Sequence, residues 1–359
     1  MKKTLSTIIL LILLFNLFFV PFQIEQVKGQ SWLSGWEYRK SHTINGSTAG
    51  SVTNYQIKIK VHYTSGTDNG ENVYLNGKCQ KDFGDIRFTS DDGETLLDYW
   101  IEEKIDKLYA VFWVEIPSIP ASPNSATIYI YYGSEPTSSL SDPSSTFPLY
   151  SDFNDLSGWT SEEGYGGDVF LSDGILVCRV SPPGSSPTQS YARVYSTSTF
   201  GPNHAIRVKA LYPTPAVQYY RIIGFNDLSG TDPHWKAVQG ENLVDLRTFD
   251  TDEYLKTVAS GTATKVNMDF TQGSYKIFEI RWTSDNCTAL EFDGASATST
   301  TNIPTGNLHV VIAHETNDPP ETSDFKVDWI FVRKYVYPEP SHGDWGSEEQ
   351  TSLTKNWLT

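Results

Sequence analysis

The residues with the clearest catalytic potential are two carboxylates in the string Glu291-Phe292-Asp293-Gly294. Glycosidases use a pair of carboxyl groups, about 5–5.5 Å apart in retaining enzymes and roughly 6.5–9.5 Å apart in inverting ones. Alternate residues of a strand point to the same face, so Glu291 and Asp293 could share a cleft. Asp293-Gly294 is also a strong hairpin-turn signal, and a strand ending in a turn is the simpler interpretation. The sequence therefore predicts a protein that is not an enzyme, with glycosidase activity as an open alternative.

A second set of side chains has the chemistry of sugar binding, in which aromatic faces stack on the sugar ring and polar groups bond its hydroxyls. An exposed aromatic patch on one sheet would indicate a binding surface. The predicted ligand-binding residues are Trp100, Trp113, Tyr129, Tyr220, Arg221, Trp235, Asp245 and Arg247. For Trp100, Trp113 and Tyr129, which belong to the first domain, the preferred alternative is that their face of the sheet is buried under a loop or against the second domain.

Composition favours an exported all-β protein with room for two domains. The 359 residues include 10 Trp, 20 Tyr and 18 Phe, whereas only 19% are charged. Many Ser, Thr, Gly and Pro residues separate short apolar runs, which is typical of β-sandwiches. The formal charge of −16 without a basic stripe argues against nucleic acid and against anionic membrane surfaces.

The N-terminus has the pattern of an export signal. Lys2 and Lys3 precede an apolar run from Leu5 to Phe22, and cleavage before Gln30 is consistent with the residues around it. Residues 1–29 are therefore predicted to be a signal peptide, with a retained membrane anchor as the alternative. Either way, the rest of the chain is predicted to lie outside the cell or on its surface, with membrane contact only through an uncleaved N-terminal segment.

Export also permits disulfides and glycosylation. Cys178 and Cys287 fall in the same predicted domain and are the expected disulfide, which leaves Cys79 unpaired. Asn45 and Asn286 each begin an acceptor sequon for glycosylation.

The chain divides into five parts. After residues 1–29, a domain is predicted at 36–133, a Ser/Pro-rich linker at 134–150, a second domain at 151–338 and a polar tail at 339–359. In the first domain, apolar and polar residues alternate between Tyr55 and Tyr63, which predicts strands of a β-sandwich. The second domain shows many short strand patterns and almost no helix pattern, which predicts a two-sheet jelly roll.

Several blocks of the first domain resemble a secreted domain of unknown function that is common in archaeal and bacterial surface proteins. They are Trp36–Lys40, Tyr74–Ser90, Tyr99–Glu102 and Thr127–Gly133, in that order. The resemblance implies a β-sandwich module and no particular activity.

Residues 151–338 resemble a concanavalin A-like lectin/glucanase domain. Asp152-Phe-Asn-Asp155 looks like the opening strand, and Val327–Tyr335 looks like the closing strand. Laminarinase-type members carry Glu-x-Asp-x-x-Glu on one strand, and the string at Glu291 lacks the last carboxylate. In the superfamily these two edges lie close together and often hold calcium, so the resemblance implies a calcium site. Its expected ligands are Asp152, Asn154, Asp155 and Asp328.

Taken together, these features predict a secreted protein that binds a polysaccharide or surface glycan without catalysis. One alternative is a structural or adhesive protein of the cell envelope, with cell-surface proteins as partners. The other is a glycoside hydrolase whose carboxylate pair is not evident from the sequence. Nucleic acid is not an expected partner.

Overall fold

The computed structural model describes residues 31–182, 189–214, 219–232, 235–317 and 321–351. The predicted export segment, residues 1–29, lies outside the described residues. Within the described ranges no helix is long and apolar enough to cross a membrane. The regular structure is almost entirely β, which confirms the predicted fold class.

The strands form two sandwiches in chain order. Those of the N-terminal sandwich are β1 Trp36–Asn45, β2 Val52–His62, β3 Asn72–Tyr74, β4 Arg87–Thr89, β5 Tyr99–Ile105, β6 Tyr109–Ile119 and β7 Ser125–Ser134. Those of the C-terminal sandwich are β8 Leu149–Ser151, β9 Trp159–Gly164, β10 Gly167–Ser172, β11 Ile175–Val180, β12 Gln189–Phe200, β13 His204–Leu211, β14 Tyr219–Asn226, β15 Leu243–Phe249, β16 Asp252–Ala259, β17 Thr262–Asn267, β18 Tyr275–Trp282, β19 Cys287–Glu291, β20 Ser296–Ser299, β21 Leu308–Asn317 and β22 Ser323–Lys334. The last strands are β23 Ser341–Trp345 and β24 Glu349–Gln350.

The N-terminal sandwich has the alternation that its sequence predicts. One sheet has the order β3-β2-β6-β5 and the other β23-β1-β7-β4, with β24 also paired to β1. Tyr55, Ile57, Ile59 and Val61 of β2 are buried in the core between these sheets. Burial of one face in this way supplies the hydrophobic stabilisation of the sandwich.

The predicted tail is part of this sandwich. β23 pairs with β1 in antiparallel register, and His42 stacks on Trp345 with ring centroids 3.7 Å apart. The Arg39 guanidinium pairs with Glu349 of β24 at 2.8 Å. The polar composition of residues 339–359 hid this role, because an edge strand contributes backbone hydrogen bonds and needs few apolar side chains.

The predicted linker is also ordered where it approaches the second sandwich. A short helix, α1 Pro143–Thr146, is capped by the Asp142 side chain, which accepts from the Ser144 and Ser145 amides. Such a cap satisfies amide groups that the helix itself cannot. The following strand β8 pairs with β22.

The C-terminal sandwich has a seven-stranded sheet, β17-β16-β15-β14-β21-β12-β9, facing an eight-stranded sheet, β10-β11-β22-β13-β18-β19-β20 with β8 attached. Side chains such as Val194, Phe225, Leu246, Ile280 and Val332 fill the core between them. This is the two-sheet jelly roll that the strand pattern predicts.

The two sandwiches contact each other through an aromatic cluster. Trp100 and Trp113 of the N-terminal sandwich pack against Phe147, Trp329 and Phe331, and both tryptophans are under 10% exposed. Their ring centroids lie 5.6 Å from that of Phe331. The face that carries these tryptophans is therefore covered by the second sandwich, as the preferred alternative had it.

Candidate functional site

Charged side chains line the outer face of the seven-stranded sheet, which is the face directed away from the sandwich core. Because strand residues alternate, Val194, Val244 and Leu246 face the core while Arg193 and Asp245 face outward. An outward face of this kind is normally hydrated. The outward set on the central strands is nevertheless fully buried and comprises Arg193, Glu315, Asp245 and Arg247.

A chain segment between β14 and β15 buries this face. We call it the covering segment (residues 227–232 and 235–241). Its Leu228 and Ala237 pack on Ile222, Val311 and Ala313 of the sheet.

Polar contacts fasten the covering segment across the sheet. Asn226 donates to the Ala237 carbonyl at 2.6 Å, and Lys256 donates to the Val238 carbonyl at 3.2 Å. On β9, Glu162 accepts from Lys236 at 3.1 Å. The segment is thus tied to strands on both sides of the sheet centre.

Two carboxylates meet at the Arg193 guanidinium beneath this segment. Arg193 donates to Glu162 Oε2 from Nε at 3.0 Å and from Nη2 at 2.7 Å. Its Nη1 donates to Glu315 Oε1 at 2.8 Å. Glu315 is fully buried, whereas the Glu162 side chain is 29% exposed. The three residues come from β12, β9 and β21, three adjacent strands of the sheet.

These two carboxyl groups have opposite pKa displacements. Burial raises the pKa of Glu315 to about 7, against the opposing effect of Arg193. Burial also pushes the pKa of Glu162 upward, but hydrogen bonds from Arg193 and Lys236 outweigh it and hold the pKa below the ordinary value. Near neutral pH, one group therefore keeps a proton for part of the time while the other is ionised.

Two buried polar atoms on this face, Glu315 Oε2 and Arg247 Nη1, have no hydrogen bond of good geometry among the described residues, although the Ala237 backbone lies close enough to Glu315 to lower its pKa. Arg247 does pair with Asp245, whose Oδ1 accepts from Nε at 2.6 Å. A buried polar atom without a hydrogen bond costs free energy, and native proteins contain few of them. Unpaired atoms of this kind are suited to meeting hydroxyl groups of a ligand.

A cavity opens beside Glu162 at the edge of the sheet. Its volume is about 500 Å³, and Glu162, Glu163, Tyr191 and Lys236 are among its lining residues. The Tyr191 ring lies over Arg193, 4.6 Å from the guanidinium carbon, and 6.2 Å from the ring of the exposed Tyr165. The cavity thus combines aromatic faces with carboxylates.

Gly164 makes room for this aromatic face. A Cβ at Gly164 would lie 2.8 Å from the Tyr191 ring, which is closer than carbon atoms approach. Any larger residue would push the ring aside.

Four of the predicted binding residues lie in this region. Asp245 and Arg247 are on the outer face, and the Tyr220 ring contacts Trp235 of the covering segment with centroids 5.6 Å apart. The sequence therefore identified part of this face, although it gave no sign of the segment that covers it.

The other four predicted binding residues lie elsewhere. Trp100 and Trp113 are in the aromatic cluster between the sandwiches, so they are not available to a sugar. Tyr129 is buried under the Arg39 guanidinium, 4.4 Å from its ring centroid. Arg221 lies on the core side of β14, opposite to Tyr220, because adjacent strand residues point to opposite faces.

The carboxylates singled out from the sequence are on the other sheet. Glu291 ends β19, is buried, and accepts from the Thr271 amide at 3.0 Å. Asp293 has a φ of 62° in the turn before β20. The simpler interpretation, a strand that ends in a hairpin turn, describes this string.

The predicted calcium ligands contact protein groups. Asp328 pairs with Lys209 at 2.6 Å, and Asp152 accepts from the Asn154 amide group at 2.8 Å. Asp155 accepts from the Ser157 amide at 2.7 Å. Among the described residues no group of three or more His, Cys, Asp or Glu is placed to hold a metal ion. Calcium stays a prediction.

The predicted disulfide does not form. Cys79, Cys178 and Cys287 are all free and buried. Cys178 and Cys287 are fully buried in the jelly-roll core, where they pack as small apolar side chains. Of the two sequons, Asn45 is exposed and Asn286 is half-buried.

The pair at Arg193 was missed because its members are far apart in the sequence. Glu315 is 122 residues from Arg193 and Glu162 is 31 residues away. The one local signal was a charged residue at the end of a strongly apolar strand, as in Leu308–Glu315, where burial of a carboxylate calls for a partner.

The structure defines a protein of two joined β-sandwiches, of which the second is a concanavalin A-like jelly roll. Residues 82–162 match the family model "Domain of unknown function (DUF2341)". This match begins within the predicted first domain and runs through the linker into β9. No curated protein matches the chain.

About half of the chain is similar to solved β-glucanase structures. A lichenase from a mouse hindgut metagenome is 14% identical with a TM-score of 0.42, and the match covers 52% of this chain and 99% of that one. The Bacillus licheniformis β-glucanase is 15% identical with a TM-score of 0.40, covering 52% and 97%. The endo-β-1,3-glucanase from Pyrococcus furiosus is 11% identical with a TM-score of 0.40, covering 53% and 94%.

These neighbours contradict the prediction of a non-catalytic carbohydrate-binding protein, because they are hydrolases. The alternative of a glycoside hydrolase agrees with them better. A similarity at this level concerns the fold, and the chemistry has to be argued from the site itself.

Proposed function

We propose that this protein is an exported glycoside hydrolase that acts on a polysaccharide, with Glu315 and Glu162 as its carboxyl pair. The observation that carries the proposal is the shared guanidinium of Arg193, which holds one carboxyl of raised pKa and one of lowered pKa. Two carboxyl groups whose environments separate their pKa values are the pattern of an acid and its ionised partner.

The chemistry follows from these protonation states. Protonated Glu315 gives its proton to the glycosidic oxygen as the bond to the anomeric carbon breaks. Ionised Glu162 either deprotonates a water molecule that attacks that carbon, or attacks it directly to form a glycosyl ester that water then hydrolyses while Glu315, now ionised, takes the proton of that water. Arg193 fixes both carboxylates, and Tyr195, which donates to Glu162 at 3.0 Å, holds its second oxygen. Glu162 and Glu315 each contact the Arg193 guanidinium, at 2.7 and 2.8 Å, and glycosidases in general hold their two carboxyl groups about 5–9.5 Å apart.

The cavity beside Glu162 suits a sugar chain. Tyr191 and Tyr165 offer aromatic faces on which sugar rings can stack, and Glu163 and Lys236 offer hydrogen bonds to hydroxyls. The acidic rim favours neutral polysaccharides over uronic acid polymers, because like charges repel.

Access to Glu315 requires displacement of the covering segment. The buried atoms Glu315 Oε2 and Arg247 Nη1 would then meet sugar hydroxyls in place of an unsatisfied interior. The contact between Lys236 and Glu162 is the polar link that a substrate has to replace.

The proposal predicts that residues 30–359 release reducing ends from at least one polysaccharide, and that Glu162→Gln removes this activity. Loss of the ionised partner should lower kcat by at least about a hundredfold. The assay is reducing-sugar release from neutral polysaccharides that include β-1,3- and β-1,3-1,4-glucans. Glu291→Gln is the matched control, since Glu291 lies on the other sheet, and it should keep full activity. Absence of hydrolysis across the panel, or full activity in Glu162→Gln, would refute the proposal.

Calcium at the opening of the jelly roll is a separate proposal, resting on the oxygen donors Asp152, Asn154 and Asp155. A bound ion stabilises only the folded state, so calcium should raise the melting temperature and a chelator should reverse the rise. Asp152→Asn should reduce the calcium response. Identical melting curves with calcium and with chelator would contradict the proposal that this protein binds calcium.

A further inference from the structure

The interior of the C-terminal sandwich contains an arginine that pairs with no carboxylate of the described residues. Arg221 is fully buried on the core side of β14. Its Nη1 donates to Thr248 Oγ1 at 3.5 Å and its Nη2 to Ser323 Oγ at 3.4 Å, both at the long limit of a hydrogen bond. Its Nε has no partner among the described residues.

Other buried arginines of this sandwich are different, because each of them contacts a carboxylate. They are Arg193 with Glu315, Arg207 with Glu279, Arg247 with Asp245 and Arg333 with Glu279. A buried charge is normally paired because its transfer out of water is strongly unfavourable. Arg221 is therefore the exception that needs a physical explanation.

A second unsatisfied atom lies beside it. His314 is the cross-strand neighbour of Arg221 in the β14–β21 pairing, and it is also fully buried. Its Nδ1 donates to the Cys178 carbonyl at 3.0 Å, while its Nε2 has no partner among the described residues. Two neighbouring side chains thus present unmatched nitrogen atoms to the same part of the interior.

Among the described residues, the side chains that contact Arg221 offer hydrogen-bond donors and no carboxylate. Thr248 and Ser323 have hydroxyl groups that can rotate to donate. The Tyr219 ring lies 5.0 Å from the guanidinium carbon and offsets part of the charge through its π face. Burial lowers the pKa of Arg221 to about 10, so the guanidinium is still charged at neutral pH.

We propose that Arg221, Thr248 and Ser323 bind a small inorganic anion, of the size of chloride or sulfate, between the two sheets. The guanidinium supplies the charge and the fork of N–H donors, and the two hydroxyls complete the shell. The site is on the opposite face of the sheet from Glu315, so a polysaccharide cannot be its ligand. It acts on folding stability rather than on the reaction.

The test is thermal unfolding of residues 30–359 in a buffer whose anions are bulky organic sulfonates, with sodium chloride or sodium sulfate added stepwise. Binding to the folded state alone should raise the melting temperature saturably, by about 5 °C at a hundredfold excess over Kd. Arg221→Met keeps a side chain of similar length without charge, and it should lose the saturable rise. General salt effects remain in both proteins and are removed by taking the difference.

Two further variants keep the test decisive if Arg221→Met does not fold. Thr248→Val removes one hydroxyl at nearly constant volume and should shift the midpoint of the anion titration to higher concentration. Lys104→Met removes a partly exposed cation paired with Asp106 on the N-terminal sandwich and should leave the response unchanged. A bromide-soaked crystal should show an anomalous peak at the Arg221 guanidinium. Parallel salt responses of the wild type and Thr248→Val, with no such peak, would overturn the proposal.

Discussion

Replacing Glu315 with glutamine should reduce hydrolysis of an unactivated polysaccharide by about 10²–10⁴-fold, the usual contribution of a general acid. Glutamine has the same shape as glutamate but cannot give a proton to the leaving oxygen. The Glu315 carboxyl is well suited to that step because burial raises its pKa to about 7. The measurement is kcat and KM for reducing-sugar release, with the loss expected in kcat.

Comparing two substrates can distinguish a general acid from a residue with only a structural role. An aryl glycoside with a strongly acidic phenol as leaving group needs no protonation, so Glu315→Gln should hydrolyse it nearly as fast as the wild type does. The wild-type rate on polysaccharide should fall as the pH rises through about 7, where Glu315 loses its proton. Equal losses on both substrates would assign Glu315 a structural role.

The same pKa shift gives a stability signature. A carboxyl whose folded pKa is raised stabilises the fold fully below its unfolded pKa, and this contribution is lost as the pH rises through the folded value. Between about pH 4.3 and 7 the free energy of unfolding should therefore fall by up to about 1.4 kcal/mol per pH unit from this group. Glu315→Gln should lack that slope. The same unfolding measurement also shows whether the variant is folded.

The largest loss of stability is expected for Glu279→Gln, at about 3–5 kcal/mol, because it leaves buried guanidinium groups without their carboxylate. Glu279 accepts from Arg207 at 3.1 Å, from Arg281 at 2.8 Å and from Arg333 at 2.6 Å. Arg207 also pairs with Glu102 of the N-terminal sandwich at 2.8 Å, so this network joins the two halves.

Urea unfolding followed by tryptophan fluorescence measures this loss, since Trp100 and Trp113 lie in the same contact region. Asp106→Asn is the control, because Asp106 and Lys104 form an exposed pair worth at most about 1 kcal/mol. If Glu279→Gln lowers the free energy of unfolding by less than about 1 kcal/mol, water or rearranged carboxylates satisfy the hydrogen bonds of the arginines.

Lowering the pH should also weaken the network of Glu279 with its three arginines. Burial raises the pKa of Glu279, but the three arginines outweigh it and hold the pKa far below the ordinary range. A depressed carboxyl contributes stability that is present above its unfolded pKa and is lost as the pH falls through the folded value. Unfolding at low pH should therefore be less steep in Glu279→Gln than in the wild type.

Local pattern was enough to predict the class of fold. The alternation from Tyr55 to Val61 set which face of β2 is buried, because strand residues point alternately to two sides. Turn residues such as Asp293-Gly294 marked where strands end. For the second domain the sequence grouped Tyr220, Arg221, Trp235, Asp245 and Arg247 on one concave face, whereas the structure has Tyr220, Asp245 and Arg247 on the outer face and Arg221 on the core side of the same sheet.

By itself, then, the sequence determined two β-sandwiches and which side chains share a face of a strand, since both follow from periodicity within a few residues. Only the tertiary structure decided what covers each face. It buried Trp100 against Phe331, brought Glu162 and Glu315 to Arg193 and laid the covering segment over them. Strand order and the path of long connections set these contacts, and they depend on the packing of whole sheets, which no local pattern encodes.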